Sequence, residues 1–371
     1  MNDDRIVMSA HLQAEPYILF FEDAAEETVT RIGGKCIGLA ALAKAKAPIS
    51  PGFIVTTDAF AEMMAQDRLG AEIADLLNRL DVNNIRQEAG ISHFIEDAIM
   101  RRPLPAAIDA AIRRAYGSLE TDLEGEATVA VRSSGTAEDL PDASFAGQGD
   151  TFLGVVGAEH VLEMVKRCWA SLYSARAISY RAQCHIGHRD VQMAVAVQVM
   201  VDARSAGVAI TLDPVTGDRS KIIIESSWGL GEPLVSGEIT PGHFMVDKVM
   251  LLPVASRIAT KSHELVLDPA TRKAVLRPVP LDRTNAPSIS DAELKALAQA
   301  AKTIERRFGC PQDIEWAIDA RRTESGGVVI LQSRPETVWS RKHAPIAPQG
   351  PASRGVAGVL DALIAPLARS G

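Results

Sequence analysis

The sequence predicts an α+β protein of two mixed α/β subdomains with a helical insertion in the first. Three observations carry that expectation. Apolar residues recur at helical spacing through residues 58–119, β-branched residues and period-two alternation take over from Val191, and glycine-rich segments punctuate both stretches. The expected organisation is residues 1–190 as an N-terminal subdomain with the insertion and a phosphate loop, 191–340 as a C-terminal subdomain, and 341–371 as a Pro-rich linker with a short tail helix.

Composition bounds the function before any motif does. At 371 residues and 47% apolar content the chain can bury a sizeable core and has the length of more than one domain. A net charge of −8 and a pI near 5.6 argue against a nucleic-acid or anionic-membrane partner, and no local basic patch breaks the average. No apolar signal segment follows the acidic start Met-Asn-Asp-Asp-Arg, and no window approaches a transmembrane span. Cys36, Cys168, Cys184 and Cys310 form no Cys-x-x-Cys pair, which fits a reducing cytoplasm better than a disulfide framework. The expected compartment is the cytoplasm.

In chain order, residues 17–21 read as a short strand. Gly33-Gly34-Lys35 then opens an Ala/Leu-rich helix, where free N–H groups attract anions and Lys35 adds a point charge. The spacing of a Walker loop is absent, so a plain helix start and a phosphate site both stay open. Residues 48–57 read as a turn and a strand, and the stripes Ile73, Leu76, Leu77, Leu80 and Ile108, Ile112, Tyr116 as core faces of inserted helices. Residues 128–134 form a strand that delivers Arg132 to a Gly- and Ser-rich loop ending at 151–153. Such a loop brings many backbone N–H groups near a ligand, and Arg132 at its root adds a planar cation suited to phosphate. One helical run is expected over about 158–183, and Cys184, His185 and His188 at its end match no zinc spacing and read as exposed helix-end groups.

Three β runs, 191–201, 207–213 and 221–226, then read as an antiparallel meander. Gly-rich residues 228–237, strands about 243–256 and 264–278, and a helix over 291–308 follow, the helix begun by Ser290 with Glu293 three residues on. Alternation sends Asp313, Glu315, Ala317 and Asp319 to one face of a strand, and Gln332 with Arg334 to one face of the next. Paired, these strands bring together a carboxylate, an amide oxygen and a guanidinium. Magnesium takes oxygen ligands and keeps phosphate oxygens in its shell, so Glu315 with Gln332 suits a Mg-nucleotide and Arg334 its phosphates; a solvated polar sheet face is the bland alternative. Residues 341–371 read as a linker and an apolar helix that docks on its own body or a partner.

Nine motifs occur in order: Gly33-Gly-Lys35, Pro51-Gly-Phe-Ile-Val-Thr-Thr57, Val131-Arg-Ser-Ser134, Glu138-Asp-Leu-Pro141, Ser144-Phe-Ala-Gly-Gln148, Gln198-Val-Met-Val201, Trp228-Gly-Leu-Gly-Glu232, Asp313-Ile-Glu-Trp316 and Gln332-Ser-Arg-Pro-Glu336. Over about residues 30–340 the chain resembles the N-terminal nucleotide-binding domain of the phosphoenolpyruvate synthase and pyruvate phosphate dikinase family, an ATP-grasp fold. The resemblance implies ATP and Mg²⁺ as cofactors. It implies that Lys35 and Arg132 hold phosphates, with Gly147 and Thr151 in the loop that closes over them. Gln198 and the backbone at Met200 and Val201 would receive adenine, Glu315 and Gln332 the metal, and Arg334 the phosphates. Lys35, Arg132 and Arg334 would be the catalytic cations. Two positions depart from the family pattern: Gly149 replaces a larger polar residue, which is expected to loosen the loop, and Gly242 replaces an acidic one.

In full-length members of that family a swivelling domain carries a histidine within Gly-Gly-x-x-Ser/Thr-His. None of the eight histidines here stands in that context. The expectation is therefore an ATP-binding and ATP-cleaving subunit of a split phosphotransferase. It would work with a separate subunit that carries the phosphohistidine domain and reaches a small-molecule acceptor, as in phenylphosphate synthase. No nucleic-acid or membrane partner is expected. Two alternatives are the ATP-binding part of a rifampicin-type or phosphoenolpyruvate synthase-like enzyme, and a non-catalytic ATP-sensing regulatory subunit.

Overall fold

Alternation in the sequence becomes two large antiparallel sheets and two two-stranded ones in the computed structural model, which describes residues 16–24, 27–81, 84–137, 139–140, 143–144, 149–268, 270–321, 324–337 and 339. The first half contains β1 (Ile18–Phe20), α1 (Val29–Lys44), β2 (Gly52–Val55), α2 (Thr57–Ala65), α3 (Leu69–Asn78), α4 (Ile85–Arg101) and α5 (Ala106–Asp122). Next come β3 (Thr128–Gly135), the short pair β4 (Asp139–Leu140) and β5 (Ala143–Ser144), β6 (Thr151–Val156), α6 (Ala158–Ser171), α7 (Ala175–Gln183) and β7 (Met193–Val199). The second half contains β8 (Ala203–Ile210), β9 (Lys221–Trp228), α8 (Glu232–Val235), β10 (Gly242–Asp247), β11 (Pro253–Arg257), β12 (His263–Leu267) and β13 (Ala274–Pro278). It ends with α9 (Asp291–Phe308), β14 (Gln312–Asp319) and β15 (Val328–Pro335).

The first sheet runs β1-β2-β7-β3-β6, with α2 to α5 inserted between β2 and β3. In β7, Met193, Val195 and Val197 join the large core that holds Trp169, Ile112 and Tyr116, while Ala194 and Ala196 face Ile32, Cys36 and Leu39 of α1. A strand covered on both faces reads as an unbroken apolar run, as this one does. The second sheet runs β11-β10-β9-β8-β14-β15. Leu294, Leu297, Ala298, Ala301 and Ile304 of α9 cover one face of it, against Ile222, Ile224, Ile314 and Ile330. The α9 start is the expected capping box of Ser290 and Glu293, and Gly309 ends it at φ +71°.

Four expectations need correction. The boundary near residue 190 shifts, because β7 pairs with β2 and β3 in the first sheet; the changeover falls after Val201. The meander accordingly starts at β8, and strand composition alone could not tell which sheet β7 would join. The single run over 158–183 breaks into α6 and α7, where Ser174 accepts a hydrogen bond from the Ala177 N–H and caps a new helix. The two later strands are hairpins, turned at Asp247 and Asp268, whose carboxylates accept from the N–H groups of Val249 and Met250, and of Ala270 and Thr271.

One helix joins the two sheets. A Cβ on Gly38 of α1 would lie 2.5 Å from the Ser333 carbonyl oxygen of β15, so the two backbones meet closely there, and Ile49 bridges to Ile330 just beyond α1. The described residues up to Glu336 form one compact unit. The expected tail over 341–371 lies outside the described residues. Among the described residues no helix is long and apolar enough to cross a membrane, and the four cysteines are free thiols.

Candidate functional site

A cleft of about 780 Å³ is lined by β3, β6 and β7 on one side and by β8, α8, β14 and β15 on the other. That volume suits a nucleotide-sized ligand. Lys35, Arg132, Thr151, Gln198, Met200, Val201, Glu315, Gln332 and Arg334 all border it. Of the expected site residues, Gly147 alone lies outside the described residues.

Lys35 owes its place to a break in α1. Gly33 sits at φ +72°, where a Cβ would come 2.2 Å from the Ser134 carbonyl oxygen, so the helix stops and restarts around glycine. Ser134 Oγ donates to the Ile32 carbonyl at 3.0 Å and accepts from the Cys36 N–H at 3.1 Å, which caps the restarted turn. Lys35 stands in that turn and its Nζ donates to the Ser133 carbonyl at 2.5 Å. The helix-start reading of Gly33-Gly34-Lys35 holds at the restarted turn, and Lys35 borders the cleft.

Arg132, on β3, crosses to the second sheet. Its Nη2 donates to Glu315 Oε2 at 2.8 Å and to Gln332 Oε1 at 3.1 Å, and its Nη1 reaches the Leu331 carbonyl at 3.5 Å. Glu315 and Gln332 are register partners across β14 and β15, and Leu331 is the extra residue of a bulge beside them. The side chains of Arg132 and Glu315 are only 13% and 30% exposed, so their attraction is weakly screened. Burial alone would raise the Glu315 carboxyl, but the Arg132 charge and hydrogen bond, then Lys35 and Arg334, hold it below the usual carboxylate value.

Arg334 makes a looser pair. Its Nε and Nη2 donate to Asp313 Oδ2 at 2.9 and 2.7 Å, with 46% of the arginine side chain exposed. Gln198 on β7 is buried and, among the described residues, neither its Nε2 nor Arg132 Nε has a hydrogen-bond partner. Such buried polar atoms are uncommon in folded proteins; others here lie on Gln66, Trp169, Arg181, Ser227 and Trp316, and those of Gln198 and Arg132 belong to residues that border the cleft.

Next to Gly149 the loop end is tied to β3. Ser133 donates from its N–H and its Oγ to the Asp150 carbonyl at 3.1 and 3.0 Å, and a Cβ on Gly149 would come 2.0 Å from that Oγ. Glycine thus lets the loop end lie against β3. Gly242 has ordinary space around it, and nothing in the structure explains its departure from the pattern.

Arg176, Leu230 and Glu232 border the cleft without having been picked out as site residues. Leu230 and Glu232 lie in the Gly-rich segment 228–237, and Arg176 reaches the cleft from the first turn of α7, which the Ser174 cap starts. The expected exposed histidines divide: His185 is exposed, whereas His188 is half-buried and its Nδ1 accepts from buried Arg181 at 3.1 Å. Among the described residues no group of three His, Cys, Asp or Glu could hold a metal. Glu315 and Gln332 offer two opposed oxygens, a donor set that fits a hard cation only if other oxygens complete the shell.

The family model described as "Pyruvate phosphate dikinase, AMP/ATP-binding domain" matches residues 29–353. A phosphoenolpyruvate synthase of Aeropyrum pernix is 40% identical over 365 residues, covering 91% of this chain and 44% of that protein. A probable phosphoenolpyruvate synthase of Methanothermobacter thermautotrophicus is 42% identical over 322 residues, covering 86% and 46%. The chain thus spans less than half the length of these relatives. A Pyrococcus horikoshii protein of solved structure overlaps 66% of this chain and 98% of its own with a TM-score of 0.27 and 11% identity, too slight a likeness to carry an argument.

Proposed function

The chain belongs to the pyruvate phosphate dikinase AMP/ATP-binding domain family, and on that premise we propose that it binds and cleaves ATP for a phosphotransferase, with the nucleotide between the two sheets of an ATP-grasp fold. The observation that carries this reading is Arg132 gathering Glu315 and Gln332 at one part of a cleft whose wall elsewhere is formed by Gln198, Met200 and Val201. The base would lie against the second group and the phosphates at the first. Magnesium, held by Glu315 and Gln332, would supply charge neutralisation at the phosphates. Lys35, Arg132 and Arg334 would orient the β and γ phosphates and spread the charge that develops on their oxygens.

The reaction proposed is cleavage between the α and β phosphates. A histidine nitrogen attacks the β phosphorus, AMP leaves, and water then releases inorganic phosphate from the pyrophosphorylated histidine. The accepting histidine would lie on a swivelling domain, which the split-enzyme reading puts on a partner subunit and the phosphoenolpyruvate synthase-like reading puts on the same polypeptide. For the final acceptor, the names of the relatives favour a phosphoenolpyruvate synthase-like reaction. The phenylphosphate synthase reading rests on organisation alone.

The test is product analysis. ATP incubated with the chain and its partner should give AMP and inorganic phosphate, with an acid-labile phosphoryl group on the partner. Loss of one such charge contact typically costs about 10²- to 10³-fold in rate, the effect expected of Arg132→Ala on AMP formation. ADP as the sole nucleotide product would overturn the chemistry.

A further inference from the structure

We propose that Arg132 is a stand-in cation: it keeps Glu315 and Gln332 closed to a divalent metal until a polyphosphate draws the guanidinium away. Metal and nucleotide binding are then coupled through one side chain. The inference rests on the nucleotide reading given above and adds an order of events to it.

One atom carries the contact. Arg132 Nη2 sits at 2.8 Å from Glu315 Oε2 and 3.1 Å from Gln332 Oε1, the two oxygens that a metal would use. A metal ion arriving there meets a fixed like charge in a partly buried setting, where screening is weak. No group of three His, Cys, Asp or Glu able to hold a metal occurs among the described residues, so no carboxylate or imidazole cluster offsets that repulsion. The neighbouring carboxylate on the same strand face, Asp313, is itself held by Arg334. The protein alone is therefore a poor metal site.

The guanidinium can nevertheless be drawn off. Its Nε has no partner among the described residues, and its Nη1 contact with the Leu331 carbonyl, at 3.5 Å, is at the limit of a hydrogen bond. A polyphosphate offers several charged oxygens in the fork geometry that arginine prefers, against one carboxylate oxygen now. Once Arg132 turns to phosphate, Glu315 and Gln332 are released, and the phosphate oxygens supply what the metal shell lacked. Linkage requires the coupling to be reciprocal: whatever factor the empty site costs the metal, it also costs the metal-free nucleotide.

Two equilibrium measurements on the full chain decide it. Mn²⁺ binding without nucleotide, read by electron paramagnetic resonance, should tighten at least about fivefold in Arg132→Ala, the low end of ordinary coupling. ATP binding in excess EDTA should tighten by a similar factor in Glu315→Gln, and that gain should vanish in the Arg132→Ala background. Glu315 acting only as a metal ligand predicts no change in EDTA. Unchanged Mn²⁺ affinity in folded Arg132→Ala overturns the proposal. If that variant does not fold, unchanged metal-free ATP affinity in Glu315→Gln overturns it instead. Absence of ATP binding by the wild-type chain, with or without metal, would sink the nucleotide reading, while the Mn²⁺ comparison still decides the role of Arg132.

Discussion

The first sheet is covered on both faces, by α1 and by the inserted helices with α6, whereas the second carries α9 on one face and turns Glu315, Gln332 and Arg334 to the cleft on the other. The contrast shows up in the strands. β7 is apolar on both sides until Gln198, while β14 alternates Ile314, Trp316 and Ile318 towards α9 with Asp313 and Glu315 away from it. An open polar face is where unmet charge can be kept for a ligand, and a doubly covered sheet is what holds the other wall in place.

Four changes would break or sharpen that contrast. Trp169, fully buried and edge-on to Phe60 at 6.0 Å, anchors the covered half. Trp169→Ala should cost about 3–5 kcal/mol in urea unfolding. Once allowance is made for the unfolded fraction, nucleotide affinity should stay as it was; a large intrinsic change would mean that the covered half does more than support.

Gly38 tests the joint between the sheets. Its φ is ordinary, so Gly38→Ala adds only a methyl group against the Ser333 carbonyl. We expect a loss of about 1–3 kcal/mol by overpacking, together with weaker nucleotide binding, because α1 also carries Lys35. Calorimetry on one variant reads both effects, and unchanged nucleotide binding would separate the joint from the site.

Ser290→Ala removes one half of the capping box on α9 and should cost about 1 kcal/mol, seen in thermal or urea unfolding, with no effect on the cleft.

The smallest effect is expected at acid pH. The Met250 N–H, then Lys221 and the Val249 N–H, hold the Asp247 carboxyl at about 2 against an ordinary 3.8. A depressed carboxylate stabilises fully above its unfolded value and loses that contribution as pH falls through its folded one. Stability should therefore decline between about pH 4 and pH 2, and Asp247→Asn should flatten that part of the curve in pH-dependent unfolding. An unaltered acid limb would remove Asp247 from the account.

Much of this was legible along the chain. The α9 cap, the core stripes of α3 and α5, the strand start at Thr128 and the common face of Gln332 and Arg334 are local matters, settled by propensity and period within a few residues. The site was legible in the same way as far as residue type goes, since a cation, a carboxylate and an amide oxygen keep their chemistry wherever they lie. The strand error arose where a segment had to choose a distant partner, since β7 joined the first sheet; the helix error was local, a cap at Ser174 that starts α7.

What the sequence by itself determined, then, is which groups face together within each strand and where a capped helix such as α9 begins, because those follow from local spacing and capping residues. Only the tertiary structure decided that Arg132 would meet Glu315 across 183 residues of chain, beside a bulge at Leu331 that no local pattern announced. The reason is physical. Strand pairing and ion pairing are made between segments, and their energies depend on neighbours that local sequence does not name.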